Sequence, residues 1–207
     1  MAGPSRRTLA RTLETLSDFD APTPELEQYL TPPDLASHVC HVARLQGDLE
    51  RRVVDLGTGT GMLAVATALA GAECVVGVDV DRAALEVARE NARRVGRSGE
   101  LEWVCADVTA HPLAVTSATV VSNPPFGAQY GNRHADRAFL EAACELAEVS
   151  YTFHNEGSKT FVESFASDHG GELTHAFQAS FSIERRFDFH DATERTLETE
   201  LFRIEWS

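Results

Sequence analysis

Within this chain of 207 residues, the segment Asn123-Pro124-Pro125-Phe126-Gly127 carries the residue types best suited to chemistry on a poorly nucleophilic nitrogen. Two prolines in succession stiffen the backbone and hold the preceding residue extended. The amide oxygen of Asn123 and the main-chain carbonyl of Pro124 can then each accept one hydrogen of an aromatic amine. That geometry turns the nitrogen lone pair out of ring conjugation and toward an electrophile. Phe126 supplies a flat face on which a base can stack. Asn123, Pro124, Pro125 and Phe126 are therefore the candidate catalytic residues, suited to group transfer onto the amino group of a planar heterocycle. Alone, the segment could equally be a rigid loop with an incidental asparagine, so its weight depends on what precedes it.

What precedes it is a series of acids and glycines that reads as a cofactor crevice. Asp55-Leu56-Gly57-Thr58-Gly59-Thr60-Gly61 follows an apolar run and opens a helical pattern. Its glycines permit a sharp turn and let a ligand approach the backbone. The spacing is GxGxG, which departs from the GxGxxG dinucleotide fingerprint. The next apolar run ends in Asp79, placed to accept hydrogen bonds from two ribose hydroxyls. Asp81 is better suited to capping the helix that follows. A third run ends in Asp107, which can accept from an adenine amine while Val80 and Val108 flank the ring.

Short β-branched runs at 53–56, 74–78, 101–105, 119–121 and 151–153 alternate with helical periodicity at 62–70, 82–95, 137–146 and 159–167. That alternation predicts a parallel sheet with crossover helices. Two extended runs, 173–183 and 196–206, close the sequence as an antiparallel hairpin. Ahead of the sheet, Leu9, Leu13 and Leu16 form one helical stripe that Pro22 cannot continue. Pro32 and Pro33 suit the first turn of a second helix, with Thr31 as its cap and Leu35, Val39 and Val42 on its inner face. One domain spanning 1–207 is expected, with 1–46 as a helical extension packed on it.

Composition narrows the setting. Acidic residues number 32 against 18 basic ones, all but one of them arginine, for a net charge of −14. At face value this argues against a nucleic-acid partner. An acidic surface with Lys159 as its only lysine is also what keeps a protein soluble in concentrated salt, so a haloarchaeal cytoplasm is expected. Neither a membrane span nor an apolar signal core is evident, which points to a cytoplasmic protein. Cys40, Cys74, Cys105 and Cys144 are scattered among apolar neighbours and read as buried free thiols; neither they nor the histidines have metal-ligand spacing.

These motifs together resemble the methyltransferase-like protein five family, the small-subunit ribosomal RNA adenine-N6 methyltransferases. The resemblance is carried by Leu26-Glu27-Gln28-Tyr29-Leu30-Thr31, the 55–61 loop, Gly77-Val78-Asp79-Val80-Asp81, Cys105-Ala106-Asp107-Val108, 123–127 and Phe189-His190. It implies a Rossmann-like class I methyltransferase, an α/β fold with a mostly parallel seven-stranded sheet in the order 3-2-1-4-5-7-6, a C-terminal antiparallel hairpin and N-terminal helices. It implies S-adenosyl-L-methionine as cofactor, with Gln28 and Thr31 closing over it. Asp55, Gly57, Gly59, Asp79, Val80, Asp107, Val108 and Asn123 complete the cofactor set, and no metal takes part. The substrate implied is ribosomal RNA, here gripped by arginines such as Arg6, Arg7, Arg11, Arg133, Arg185 and Arg186. The family also implies a small zinc-ribbon methyltransferase-activator protein, for which the strand 101–105 offers an undefended sheet edge. Its Leu101, Trp103 and Cys105 fall on one face and Val104 on the other. In this sequence His190 is followed by Asp191-Ala192-Thr193 where the family has basic residues. Three other functions suit parts of the pattern: a protein glutamine N5-methyltransferase, a DNA adenine methyltransferase, against which the expected single domain argues because it leaves no room for target recognition, and a catalytically silent scaffold subunit with this fold.

Overall fold

The computed structural model describes residues 3–125, 135–184 and 194–207. Phe126, Gly127, Arg133, Arg185, Arg186 and the tail at 189–193 lie outside the described residues. At the centre stands β1 (Val53–Leu56), whose four residues are all buried, as befits a parallel strand covered on both faces. β2 (Val75–Asp79) and β3 (Leu101–Cys105) extend the sheet to one side, β4 (Ala118–Ser122) and β5 (Ala147–Asn155) to the other. β6 (Gly171–Glu184) and β7 (Glu194–Trp206) complete the order β3-β2-β1-β4-β5-β7-β6. The first five strands are parallel, while β7 runs antiparallel to both β5 and β6. Parallel pairing brings the carboxyl ends of β1 to β4 to one rim, where an open α/β sheet binds its ligands.

Helices cover both faces. α3 (Met62–Ala70) is apolar all round and almost wholly buried, because it lies between the sheet and an outer layer formed by α1 (Arg6–Leu13) and α2 (Pro33–Leu45). α4 (Arg82–Arg94) covers the β2–β3 side and buries the stripe Ala84, Leu85, Val87, Ala88, Asn91 and Ala92. The opposite face carries α5 (Ala135–Leu146) and α6 (Lys159–Asp168), with Leu140, Phe165, Phe202 and Trp206 in their shared core.

Four expectations need correction. The first helix ends at Leu13, well before Pro22, in a tightened turn where Thr12 and Thr15 turn their hydroxyls onto the carbonyls of Thr8 and Thr12. Thr31 does not cap α2: Pro32 occupies the cap position, and the Thr31 hydroxyl is used elsewhere. Of the four free cysteines only Cys40 is buried. Cys105 is exposed because it ends an edge strand, and Cys74 and Cys144 are half-buried. β5 is also longer than its apolar run, beginning at Ala147 directly after α5, because β4 and β7 pair with it on both sides.

At the end of the sheet away from the rim, Arg203 on β7 is 5% exposed and meets Asp48, which is 2% exposed. Arg203 Nε lies 2.9 Å from Asp48 Oδ2 and Nη2 lies 3.2 Å from Oδ1. Tyr151 donates its hydroxyl to Asp48 Oδ2 at 2.6 Å, and burial together with that carboxylate pushes the phenol far above its ordinary value. The cluster ties the last strand to the turn before β1. Removing Asp48 takes away the buried partner of Arg203 Nε and Nη2 and leaves that guanidinium only Glu205, on its Nη1, as a counter-charge, so Asp48→Ala should destabilise the fold by about 2 to 4 kcal/mol. Urea unfolding followed by circular dichroism checks this; a loss under about 1 kcal/mol would mean the cluster is solvated.

Candidate active site

The rim is organised from beneath by Asp55. Its side chain is 1% exposed, with Oδ2 accepting from the Thr58 hydroxyl at 2.6 Å and from the Ala64 amide at 2.9 Å. Oδ1 is buried without a partner. Burial pushes this carboxyl up to about 7, against the lowering effect of those two hydrogen bonds, and the Asp79 charge adds to the rise. The bonds hold the β1–α3 turn in a shape that puts Gly57 and Gly59 at positive φ. A Cβ on Gly57 would come within 2.9 Å of the Phe139 ring, and one on Gly59 within 2.8 Å of the Phe19 ring. Glycine is thus needed at both for backbone conformation and for clearance.

A cavity of about 470 Å³ opens above this turn, a size suited to a cofactor. Asp79 lines it, accepting from the Gly59 amide at 2.7 Å on Oδ2 and from the Asp81 amide at 2.9 Å on Oδ1. Each oxygen keeps a lone pair for a ligand hydroxyl. Burial raises the carboxyl of Asp79 from its ordinary value, and the neighbouring Asp81 charge does the same. Asp107 is exposed at the end of β3, and Oδ1 accepts both the amide and the hydroxyl of Thr109. Those bonds lower its carboxyl below the usual value, so it is ionised at neutral pH. Val80 is 55% exposed and Val108 is buried, both on the cavity wall. An apolar side chain left open beside two acids suits a flat heterocycle.

The fourth wall is a strap, residues 19–31, laid across the rim by three long-range attachments. Asn91, fully buried on α4, accepts from the Ser17 amide at 2.8 Å and donates to the carbonyls of Ser17 and Thr60, each at 2.9 Å. Gln28 donates from Nε2 to Asp81 Oδ2 at 2.7 Å and accepts from the Thr23 amide. Thr31 accepts from Asn123 Nδ2 at 3.0 Å. With its nitrogen held in that way, the Asn123 side chain has its oxygen, Oδ1, buried without a hydrogen-bond partner.

Gln28, Thr31, Gly57, Gly59, Asp79, Val80, Asp107, Val108, Asn123 and Pro125 all line one cavity. Asp55 does not line it: the structure places it under the glycine turn, where it braces backbone and is out of a ligand's reach. Pro124 is likewise absent from the lining. Asp81 caps α4 through the Ala83 amide at 2.8 Å, as expected, and also anchors the strap through Gln28. Sequence reasoning missed Phe19, Phe139 and Asn91. Only Asn91 left a trace, as a polar residue on the apolar stripe of α4.

Residues 32–174 match the methyltransferase small domain family. The chain is 31% identical to the rRNA N(6)-adenosine-methyltransferase Mettl5 of Drosophila melanogaster, over 99% of this chain and 98% of that protein. It is 33% identical to an uncharacterised protein of Methanocaldococcus jannaschii, over 97% of this chain and 94% of the other. The crystal structure of a candidate RNA methyltransferase from Pyrococcus horikoshii superposes with a TM-score of 0.89 at 34% identity, covering 98% of both chains.

The raised carboxyl of Asp55 carries a pH signature. A carboxyl whose folded value lies above its unfolded one, about 3.9, favours folding while protonated. Its contribution is complete below pH 4 and is lost as pH rises through about 7. Asp55→Asn should remove that slope, so the stability gap between wild type and variant should shift by about 2 to 4 kcal/mol between pH 4 and pH 8. Urea titrations at several pH values measure the gap; a constant gap would place the ionised form of Asp55 comfortably in the fold.

Proposed function

Because the chain belongs to the methyltransferase small domain family, and within it to the rRNA N(6)-adenosine-methyltransferases METTL5, we propose that it methylates N6 of an adenine in small-subunit ribosomal RNA, using S-adenosyl-L-methionine. The observation that carries this reading is the oriented amide of Asn123, a residue of the cavity wall, with Nδ2 on Thr31 and Oδ1 buried without a hydrogen-bond partner. An acceptor in that position lacks a donor in the protein alone, and an exocyclic amine provides one.

The residues present fit the cofactor. Asp79 offers one free lone pair on each oxygen to the two ribose hydroxyls, and the Oδ2 atom of Asp107 is left for the adenine amine. Val80 and Val108 cover the faces of that adenine, and the glycine turn meets the methionine part. When bound, S-adenosyl-L-methionine supplies a methyl group on a positively charged sulfur. Asn123 Oδ1 accepts one hydrogen of the target amine and the Pro124 carbonyl the other, which aims the nitrogen lone pair at the cavity. The proton lost from that amine passes to water, since an amide oxygen such as Asn123 Oδ1 is too weak a base to take it up. The contribution of Asn123 is orientation and dipole. Phe126 completes the proposal as the stacking surface for a base splayed out of its strand.

RNA contact falls to arginines, among them Arg6, Arg7 and Arg11, all exposed on or beside α1. In concentrated salt the long-range repulsion of a −14 chain is screened within about 3 Å, so short-range pairs with phosphate dominate. No helix among the described residues is long and apolar enough to cross a membrane, and we place the protein in the cytoplasm with its ribosomal substrate.

The partner we propose is a small zinc-ribbon methyltransferase activator that adds to the sheet at β3. This strand stands at the sheet's edge. The Val75 amide donates to Glu100 O and the Ala106 amide donates to Asp79 O, so even-numbered residues of β3 bond β2. The outward groups therefore belong to Leu101, Trp103 and Cys105, and a proline at Val104 would strike the inner ladder instead.

Two outcomes follow. Asn123→Ala should lower kcat on the order of a hundredfold while leaving the cofactor Kd within about threefold, since the lost contact is made at the reacting centre. Single-turnover kinetics with calorimetry separate the two, and equal losses in both would assign Asn123 to the cofactor. Cys105→Pro should abolish the activator complex in native mass spectrometry while the chain keeps its fold. A fully active monomer indifferent to activator would end the edge-pairing proposal and leave the chemistry standing.

A further inference from the structure

The ends of β1 and β4 bring the glycine turn and the target-facing amide together. Leu56 pairs with Ser122, so the residues that follow, Gly57 and Asn123, leave the sheet side by side. On Gly57 stands the ring of Phe139, from α5. The far end of that ring packs on the glycine, where a Cβ would come within 2.9 Å of Cε1 and 3.0 Å of Cζ. Phe139 is set there by packing against the apolar cluster that contains Leu56, Val120 and Ala142, yet it stays half-buried and lines the cavity with its neighbour Ala138. Among the described residues no ring or cation is stacked on it, and Arg137, which precedes it on α5, lies over Phe165 instead.

Charge separates this end of the cavity from the rest. The acids of the lining, Glu27, Asp79 and Asp107, belong to the strap and to the ends of β2 and β3, and no lysine, arginine or histidine is among the described lining residues. Where β1 and β4 end, the lining is Gly57, Asn123, Pro125, Ala138 and Phe139, all uncharged. The proposed cofactor brings a cation to this place. Its sulfonium joins the ribose, held by Asp79, to the methionine part on the glycine turn, and its methyl group must face Asn123. A carboxylate here would offset the charge but would also compete as an acceptor for the methyl group. A benzene ring has no lone pair to be methylated, and the negative face of its quadrupole attracts a cation within about 6 Å of its centre. Leucine or methionine would fill the space without that attraction. As the methyl group passes from sulfur to nitrogen, the positive charge passes to the amine beside Asn123, so a ring at this junction faces a cation before and after transfer.

Resting on the methyltransferase reading above, we propose that Phe139 is a binding residue for the cofactor's sulfonium, which it holds by cation–π attraction. Phe19 is the aromatic neighbour without that role: its ring packs on Gly59, whose amide is bonded to Asp79, so it lies at the ribose end. The chain then favours the charged cofactor over the product with a neutral sulfur, and that preference resides in one ring of α5.

S-adenosyl-L-methionine and S-adenosyl-L-homocysteine share every group except the methyl and the sulfonium charge, so the ratio of their affinities isolates the contact. In the full chain, Phe139 is replaced by 4-fluoro-, 3,5-difluoro- and 3,4,5-trifluorophenylalanine, which drain negative charge from the ring face with little change of shape. Calorimetry should show the Kd of S-adenosyl-L-methionine rising with each fluorine, on the order of threefold to thirtyfold across the series, while that of S-adenosyl-L-homocysteine holds within about twofold. Phe139→Leu should show the same selective loss, and the same fluorinated series at Phe19 should leave the ratio unchanged. Equal changes for both ligands, or none for either, would make Phe139 a packing residue and overturn the proposal. A trend of equal size at Phe19 would overturn the assignment to Phe139 as well. If the wild-type chain binds neither ligand, the methyltransferase reading fails and takes this proposal with it, whereas tight binding of both with a flat series removes the proposal alone.

Discussion

Everything at the rim of this sheet depends on a carboxylate that a ligand never meets. Asp55 sits beneath the β1–α3 turn and grips it through the Thr58 hydroxyl and the Ala64 amide. Because the turn is held there, the Gly59 amide points at Asp79 and the Thr60 carbonyl points at Asn91. Asn91 passes the constraint to Ser17, where the strap begins, and the strap returns to the rim through Gln28 on Asp81 and Thr31 on Asn123. One buried acid thus sets the backbone of the glycine turn and, through a chain of hydrogen bonds, the orientation of the Asn123 amide.

In the proposed reading the arrangement puts cofactor and target on one connected frame. Asn123 is reached from the cofactor side by Thr31, so a strap displaced from the cavity also releases the amide. In the proposed complex, binding energy from cofactor contacts with the rim and the strap orders the reacting centre, which is where binding energy raises kcat. The buried Arg203, Asp48 and Tyr151 cluster works at the opposite end of the sheet, fixing β7 beside β5 without contact with the chemistry.

Much of this was legible in the sequence because it is local. β1 and β3 are bounded by charge and turn residues and were delimited by their β-branched runs, as was α3 by its apolar stretch. The acids at strand ends were legible because parallel strands deliver their carboxyl ends to one crevice. Local rules misled where a residue had a distant partner. Thr31 before two prolines has every mark of a cap, but its hydroxyl serves a residue 92 positions away. Asn91 reaches back 74 positions to Ser17, and nothing in either neighbourhood announces the pair. Phe19 and Phe139 come to the glycine turn from the strap and from α5, so their role is visible only once the clearance at Gly57 and Gly59 is measured in space. Asp55 was legible as important but not in its role, since an acid beside a glycine loop reads the same whether it touches the ligand or the loop.

The central claim, that this rim methylates the amino group of adenine in ribosomal RNA, is tested most directly by following the methyl group. Purified chain, with a zinc-ribbon activator present, is incubated in molar salt with methyl-labelled S-adenosyl-L-methionine, deproteinised small-subunit RNA and, separately, ribosomal protein. The RNA is then digested to nucleosides and the protein to amino acids. Label recovered in N6-methyladenosine from the RNA, and absent after Asn123→Ala, is the expected result. Label in another nucleoside, or on protein glutamine, would contradict it.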